Sequence, residues 1–395
     1  MPTKPGSEGI RVQNLSRILT LLHHRGPLSR ADLTRLTGFN RSTVGALTAE
    51  LARLGLAYET EPAAAGRAGR PSPRVHPNER VAVLAVHPDV DAVTVGLVGL
   101  GGKVHRKVRC TAACPSVPET VEIARAAAGG MAPALAAMDR VIGAGAAVPG
   151  LVDSTDGSVR LAPHLGWENE PLAAALGTAL GLPSRAGNDA ALGALAESIF
   201  GAGVAQEDVV YLNGSASGIG GGAVVGGIPL SGSDGYAGEL GHTLVRTDGL
   251  PCHCGRRGCL ETEVNLGGLL EALGLESADL DELEAAMRTQ DSPAFRQTAG
   301  RQLDLLGEAV VNLVNIFNPR TILLGGFLGA LWSFDPERLR TVVAQGAIGG
   351  LGRTVEIRRA ALGADLLLVG AAELAFAPLL ADPASYSLNL AEPGP

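Results

Sequence analysis

The decapeptide CHCGRRGCLE, Cys252 to Glu261, holds three of the chain's five cysteines, and His242 stands ten residues before it in GELGH. Three thiolates and an imidazole at this spacing form the donor set of tetrahedral zinc. Four protein ligands close the coordination shell, so such a metal holds chain together and leaves no position open for a substrate. His242, Cys252, Cys254 and Cys259 are therefore the expected ligands of a structural Zn2+. The alternative, small packing residues beside a surface histidine, leaves the CxC pair and the nearby third cysteine unexplained. Cys110 and Cys114 have no comparable context and read as ordinary thiols.

Clustered cysteines read as metal ligands where thiols stay reduced. The first residues, MPTKPGSEGIRVQN, show no apolar signal stretch, and no uninterrupted apolar run reaches bilayer length, so a cytoplasmic location without a membrane partner is expected. A length of 395 residues implies two or three units with cores of their own. Aromatic residues make up only 3% while glycine numbers 54, so those cores must be built from aliphatic side chains and alanine packed close to glycine backbone.

Charge divides the chain. Residues 1–74 carry eleven Lys and Arg against five acids, a balance of +6, whereas the whole chain stands at −8. A basic head on an acidic body points to a polyanion met by the head alone. Within that head, Leu15, Ile18, Leu19 and Leu22 recur at helical spacing. A second helix is expected between Ser29 as N-cap and Gly38 as stop. A third follows Asn40, with Val44, Leu47, Leu51 and Leu54 as its core stripe and Gly55 at its end. A strand-like LAYET and the basic loop GRAGRPSPR complete the pattern of a winged helix-turn-helix. Arg41, Ser42 and Thr43 then stand at the start of the recognition helix, able to reach base edges or phosphates of operator DNA. Arg67 and Arg70 in the wing are placed to enter a minor groove. A three-helix protein-interaction module is the alternative reading of the same stretch.

Beyond the linker PSPRVHPN the pattern alternates. VAVLAV, AVTVGLVG, RVIGAGAAV, EDVVYLN and PRTILLGG read as strands, several of them entering glycine-rich loops, while AALGALAESIF and LLGEAVVNLVNIF read as helices. This alternation predicts an α/β body that binds ligands where loops leave strand ends. Leu192, Leu195 and Ile199 are expected to form the buried stripe of the helix opened by Asn188 and Asp189.

These motifs carry a family resemblance. GAAVPGLVD, APHLGWENEPL, GNDAALGALAESIFGAG, GELGH, CHCGRRGCLE, NPRTILLGG and AALGADLLLVGAA together resemble the ROK family of sugar kinases and sugar-responsive repressors. The whole chain is similar to its repressor branch. The resemblance implies an N-terminal winged helix-turn-helix and linker over 1–76, then a two-lobed α/β body of the actin-like ATPase/sugar kinase fold. Its lobes would span 77–188 and 189–395, with the last helix free to pack back on the first lobe. It also implies that Asn188, Asp189, Glu239, His242 and Glu261 contact a monosaccharide, with zinc fixing the tautomer of His242. In the family's kinases the aspartate matching Asp189 is the general base; read from the residues alone, Asp189 is equally a helix cap.

One departure separates sensor from kinase. Where the kinases carry DxGGT to cradle ATP phosphates, this chain has His87, Pro88, Asp89, Val90 and Asp91. Proline lacks an amide donor and the added carboxylates repel phosphate. A second phosphate loop, GSASGIGGG, keeps Gly218, Gly220 and Gly222. His164 stands where the family pattern has Asn, which leaves the identity of the sugar open. The expected protein is therefore a sugar-responsive repressor without enzymatic activity, working as a homodimer or dimer of dimers on paired half-sites. An ATP-dependent sugar kinase, glucokinase-like and with or without a DNA-binding role, is the alternative.

Overall fold

The computed structural model describes residues 7–61 and 72–386. Arg67 and Arg70 lie outside the described residues. In the head, α1 (Ser7–Arg25) buries Leu15, Ile18, Leu19 and Leu22 against α2 (Arg30–Thr37) and α3 (Arg41–Arg53). Local chemistry sets the helix ends. The Ser29 hydroxyl accepts the Asp32 N–H at 3.0 Å, Gly38 closes α2 at φ 74°, and Asn40 accepts the Thr43 N–H at 2.8 Å. Strands β1 (Leu28–Ser29), β2 (Ala57–Thr60) and β3 (Arg74–Pro77) pair antiparallel in the order β1-β3-β2. Arg41, Ser42, Ala46 and Ala49 face solvent, opposite the buried Val44, Leu47 and Leu51.

The body contains the same sheet twice. The first sheet is made by β4 (Val81–Pro88), β5 (Ala92–Gly99), β6 (Lys103–Thr111), β7 (Arg140–Val148) and β11 (Ser184–Asn188), in the order β11-β7-β4-β5-β6. Between them come α4 (Val117–Gly130), α5 (Ala132–Ala136) and α6 (Leu172–Leu180), together with a small sheet of β8 (Leu151–Val152), β9 (Val159–Ala162) and β10 (Trp167–Glu170). The helix α7 (Asp189–Phe200) leads into the second sheet. That sheet contains β12 (Val209–Ser215), β13 (Gly218–Val225), β14 (Ile228–Pro229), β15 (Thr321–Gly325) and β16 (Glu356–Arg359), in the order β14-β13-β12-β15-β16. In both, a three-stranded antiparallel meander is extended by two parallel strands on its first-strand side. The second lobe adds α8 (Leu260–Glu263), α9 (Leu266–Leu273), α10 (Leu280–Thr289), α11 (Pro293–Phe317), α12 (Gly326–Phe334) and α13 (Pro336–Gly346).

The last helix, α14 (Leu366–Ala381), does not stay with the second lobe. It crosses the first sheet so closely that a Cβ on Gly145 of β7 would overlap the Ala371 carbonyl, and one on Gly96 of β5 would lie 2.8 Å from Leu368. With the short turn before it, residues Gly363–Ala381 match a membrane span in length and hydropathy, but Glu373 stands at the middle of α14 and most of the helix's side chains are buried in the protein. Head and first lobe share one continuous apolar core. Leu15, Leu22 and Leu51 of the head belong to the same cluster as Val83 and Val98 of the first sheet and Phe376 and Leu379 of α14.

Two sequence expectations change here. The buried face of α7 is Ala190, Leu192, Gly193, Ala194, Ala196 and Glu197, with Leu195 and Ile199 only half-buried, because β13 and α14 press on the helix from different sides. The glycines of GIGGG lie within strand β13 and not in a loop. A Cβ on Gly220 or Gly222 would stand 2.7 Å from Ala190 or 2.8 Å from Ala194, so these glycines admit α7.

Gly145→Ala should therefore lower stability by about 3 kcal/mol, since the obstruction is backbone and cannot rotate away. Gly129→Ala, in the exposed last turn of α4 where a new Cβ meets nothing, should raise it by about 0.5 kcal/mol. Urea unfolding midpoints of the two variants check the contrast.

Candidate effector cleft and metal centre

A cavity of about 520 Å³ opens between the lobes, with Gly150 and His164 on the first-lobe side and Gly218, Glu239, His242 and Glu261 on the second. Asn188 and Asp189 stand where β11 turns into α7, at the cavity wall. Asn188 has structural duties: its Oδ1 accepts the Ala191 N–H at 2.8 Å and its Nδ2 donates to the Gly150 carbonyl at 3.0 Å. It thereby ties the start of α7 to the loop after β7.

Asp189 is half-buried, and its carboxylate accepts the Ala190 N–H at 2.7 Å. Burial pushes its carboxyl up to about 7. The Ala190 amide opposes that rise, and the negative charges of Asp89 and Glu239 add to it. A carboxyl poised there accepts hydrogen bonds from hydroxyls when ionised and takes up a proton within the physiological range.

On the facing side, the donor atoms of His242, Cys252, Cys254 and Cys259 all lie within 4.8 Å of one another. The Sγ atoms of Cys254 and Cys259 are 3.7 Å apart, and Cys252 Sγ is 3.6 Å from His242 Nδ1. Tetrahedral zinc with metal–sulfur bonds of ~2.3 Å and metal–nitrogen bonds of ~2.0 Å places its ligands ~3.8 Å apart for S···S and ~3.5 Å for N···S. The four residues fit that ion. Zinc would supply a fixed crosslink between the loops before and after it. With His242 facing the thiolates through Nδ1, its Nε2 is turned toward Glu239, 3.9 Å from Oε2.

Glu261 joins this centre to the cleft. Its Oε1 lies 3.0 Å from Cys252 Sγ and 3.2 Å from His242 Nδ1, and its Oε2 would stand 2.8 Å from a Cβ on Gly218. Behind it, Glu263 is buried and holds the loop in place, accepting the Leu250 N–H and an Arg301 N–H, both at 2.6 Å.

The structure thus brings Asn188, Asp189, Glu239, His242 and Glu261 to one cavity. Two further histidines share it that the spacing of ligands did not single out as contacts. His253, the residue between Cys252 and Cys254, lies 3.3 Å from Glu261, and His164 meets its ring edge-on at 5.5 Å. The zinc motif fixes His253 on the cleft loop, so its position in CxC was the available signal. His164, which the motif marked as bearing on the identity of the sugar, comes from the turn between β9 and β10, and the fold sets it beside His253.

Two hairpins stand where the family resemblance places phosphate loops. In the β4–β5 hairpin, Pro88 has no N–H, the Asp89 N–H donates to the Ala92 carbonyl at 2.8 Å, and the Val90 N–H donates to the Asp89 carboxylate at 2.7 Å. The β12–β13 hairpin is tightened to the two residues Ala216 and Ser217, with the Ser215 and Ser217 hydroxyls 2.8 Å apart. The Glu261 carboxylate faces the end of that turn at Gly218, which disfavours an anion.

Two outcomes test this geometry. The purified protein should carry about one zinc per chain by metal analysis, and Cys254→Ser should lose most of it. Asp189 gives a pH test. Its folded pKa is raised, so its ionised form carries the cost: this cost is absent below the unfolded value near 3.8 and fully present above about 7. Asp189→Asn should accordingly raise the melting temperature at pH 8 and change it little at pH 4, moderated by the partial exposure of the group.

Comparison with known proteins places this architecture. The chain is 27% identical over 393 residues to a putative xylose repressor of Caldicellulosiruptor sp. (strain Rt8B.4), covering 94% of this chain and 97% of that one. A crystal structure of a ROK family transcriptional regulator, homologous to the E. coli MLC protein, superposes with a TM-score of 0.78 at 26% identity, covering 94% of this chain and 97% of its own. A ROK family glucokinase from Streptomyces griseus, solved with glucose and AMPPNP, superposes with a TM-score of 0.62 at 27% identity; it is covered to 98% but covers 74% of this chain. Residues 84–377 match the ROK family pattern, and the chain belongs to the ROK family.

Proposed function

We propose that this protein is a cytoplasmic, sugar-responsive transcriptional repressor that binds operator DNA through its head and a monosaccharide or sugar derivative in the cleft, without phosphorylating it. The β4–β5 hairpin carries the distinction from a kinase. Its Asp89 and Val90 amides are taken up within the hairpin, Pro88 has none, and Asp89 adds a carboxylate where phosphates would need donors. The hydroxyl-binding side of the cleft keeps its carboxylates, with Asp189 in a position that suits a hydrogen-bond acceptor. Similarity over the full length to two regulators, against partial coverage by a glucokinase, supports the same reading.

The head supports DNA binding by shape and charge. Helix α3 presents small residues and exposed Arg41 on its solvent side. The Ser42 hydroxyl bonds to Asn40 Oδ1 at 2.7 Å, and the Thr43 N–H is held by the same cap, so Arg41 carries the direct reach toward base edges. Arg67 and Arg70 belong to this proposal as wing contacts. Two heads are needed for paired half-sites, so the working unit is a homodimer or a dimer of dimers. A sugar releases DNA only by binding the DNA-free conformation more tightly, and a tenfold loss of operator affinity requires a coupling of about 1.4 kcal/mol.

The test uses D-glucose, D-xylose and their phosphates, with and without ATP. One of them should raise the melting temperature and shift DNA affinity, and no sugar phosphate should form. Steady sugar-dependent ATP turnover would establish the kinase instead. Arg41→Ala should weaken specific DNA binding by about 1–3 kcal/mol and relax base preference, measured by anisotropy against duplexes selected from a random pool.

A further inference from the structure

The head meets the body at a buried imidazole. His23, near the end of α1, is wholly buried, and three other parts of the chain converge on it. Gly101, in the turn between β5 and β6, donates its N–H to Nδ1 at 2.8 Å. Glu373, at the middle of α14, lies 2.6 Å from Nε2. Phe200, the last residue of α7, meets the ring edge-on at 5.6 Å. The neighbouring His24 lies 3.4 Å from the second oxygen of Glu373.

The donor pattern fixes the chemistry. With the Gly101 hydrogen directed at Nδ1, the ring's own hydrogen sits on Nε2 and is donated to Glu373. His23, His24 and Glu373 are metal-ligand types, but a cation on Nε2 would move the ring hydrogen to Nδ1, facing the Gly101 N–H. This cluster is therefore a directional hydrogen-bonded joint rather than a metal site.

Phe200 gives the joint a connection to the cleft. The helix it ends, α7, begins at Asp189 in the cavity wall and runs about 17 Å at 1.5 Å per residue. It is packed too tightly to bend: Gly220 and Gly222 of β13 admit its alanines, and buried Glu197 accepts the N–H groups of Ala361 and Leu362 at 2.8 and 2.7 Å. A Cβ on Gly102 would stand 3.0 Å from the Phe200 ring, so the β5–β6 turn, α7 and α1 are in one contact group.

We propose that α7 is the rod, and the His23–Glu373 pair the joint, through which a ligand bound in the cleft changes the hold of the head on DNA. This rests on the effector reading above. Ligand that draws the second-lobe wall of the cavity toward Gly150 and His164 carries α7 with that lobe, to which β13 and Glu197 bind it; Phe200 then presses on His23, and α1 must follow or give up its bond to Glu373. A small rotation of α1 changes the spacing of two heads on paired half-sites.

The experiment uses the full-length zinc-bound protein, a DNA duplex selected by it from a random pool, and D-glucose and D-xylose as ligands. Glu373→Met removes the acceptor with similar bulk, Glu373→Gln keeps one, and Phe200→Leu shortens the contact from α7. Glu373→Met and Phe200→Leu should bind the sugar and the sugar-free DNA within about threefold of the unmodified protein, while a tenfold sugar-induced loss of DNA affinity falls to under about twofold. Glu373→Gln should retain most of that response, which a merely structural role of the carboxylate would not require. A full sugar response in folded Phe200→Leu and Glu373→Met would overturn the joint; if Glu373→Met fails to fold, Phe200→Leu decides. No sugar response in the unmodified protein would overturn the effector reading itself, and the joint with it.

Discussion

The arrangement depends on the burial of α14. This helix is apolar on nearly every side, so it has to be enclosed, and it is enclosed by the first sheet, by α7 and by α1 of the head together. Its backbone reaches the sheet at Gly145, where no side chain could be admitted, and its Gly370 lies against the Leu192 carbonyl of α7. The last helix of the chain thereby joins both lobes and the head in one packing unit. Movement of the cleft walls is linked by packing to the head, since interiors at native density transmit strain.

A zinc ion held by the four ligands would order the cleft wall without itself lining the cavity. Glu239, before His242, and Glu261, in the single turn of α8, are separated by the whole zinc segment, and irregular chain of that length is mobile unless tied. The His242, Cys252, Cys254 and Cys259 set closes them onto one point, and buried Glu263 fastens that point to α11 through Arg301. On the opposite wall Asn188 does the equivalent work with hydrogen bonds alone, capping α7 and holding the Gly150 carbonyl. The result is a row of carboxylates and imidazoles suited to a polyhydroxylated ligand. Two tight hairpins take the places where amide donors for phosphate would be needed.

On the proposed reading, Asp189 beside a β4–β5 hairpin poor in free amides has a physical meaning. A carboxyl raised to about 7 by burial and by neighbouring acids would, when ionised, accept strongly from a ligand hydroxyl, a role that needs no phosphoryl donor. Binding energy that a kinase would direct to a transition state would then be available for shifting a conformational equilibrium.

Local chemistry was legible in the residues themselves. Ser29, Gly38 and Asn40 end and begin helices by contacts within four residues, the zinc set is defined by spacing, and Pro88 removes an amide donor wherever the hairpin lies. The α/β alternation and the family motifs likewise pointed to a two-lobed body with a basic head. What only the tertiary structure decided involves groups far apart in sequence. Of the stripe expected on α7 only Leu192 is fully buried, and the face that packs is made mostly of Ala190, Gly193, Ala194 and Ala196, because β13 and α14 close on it from different sides. His164 reaches the cleft only through the β9–β10 turn, and His23 meets Glu373 across 350 residues. Periodicity reports which side chains leave water; it does not report which distant segment receives them, and that choice is made by close packing of the whole chain.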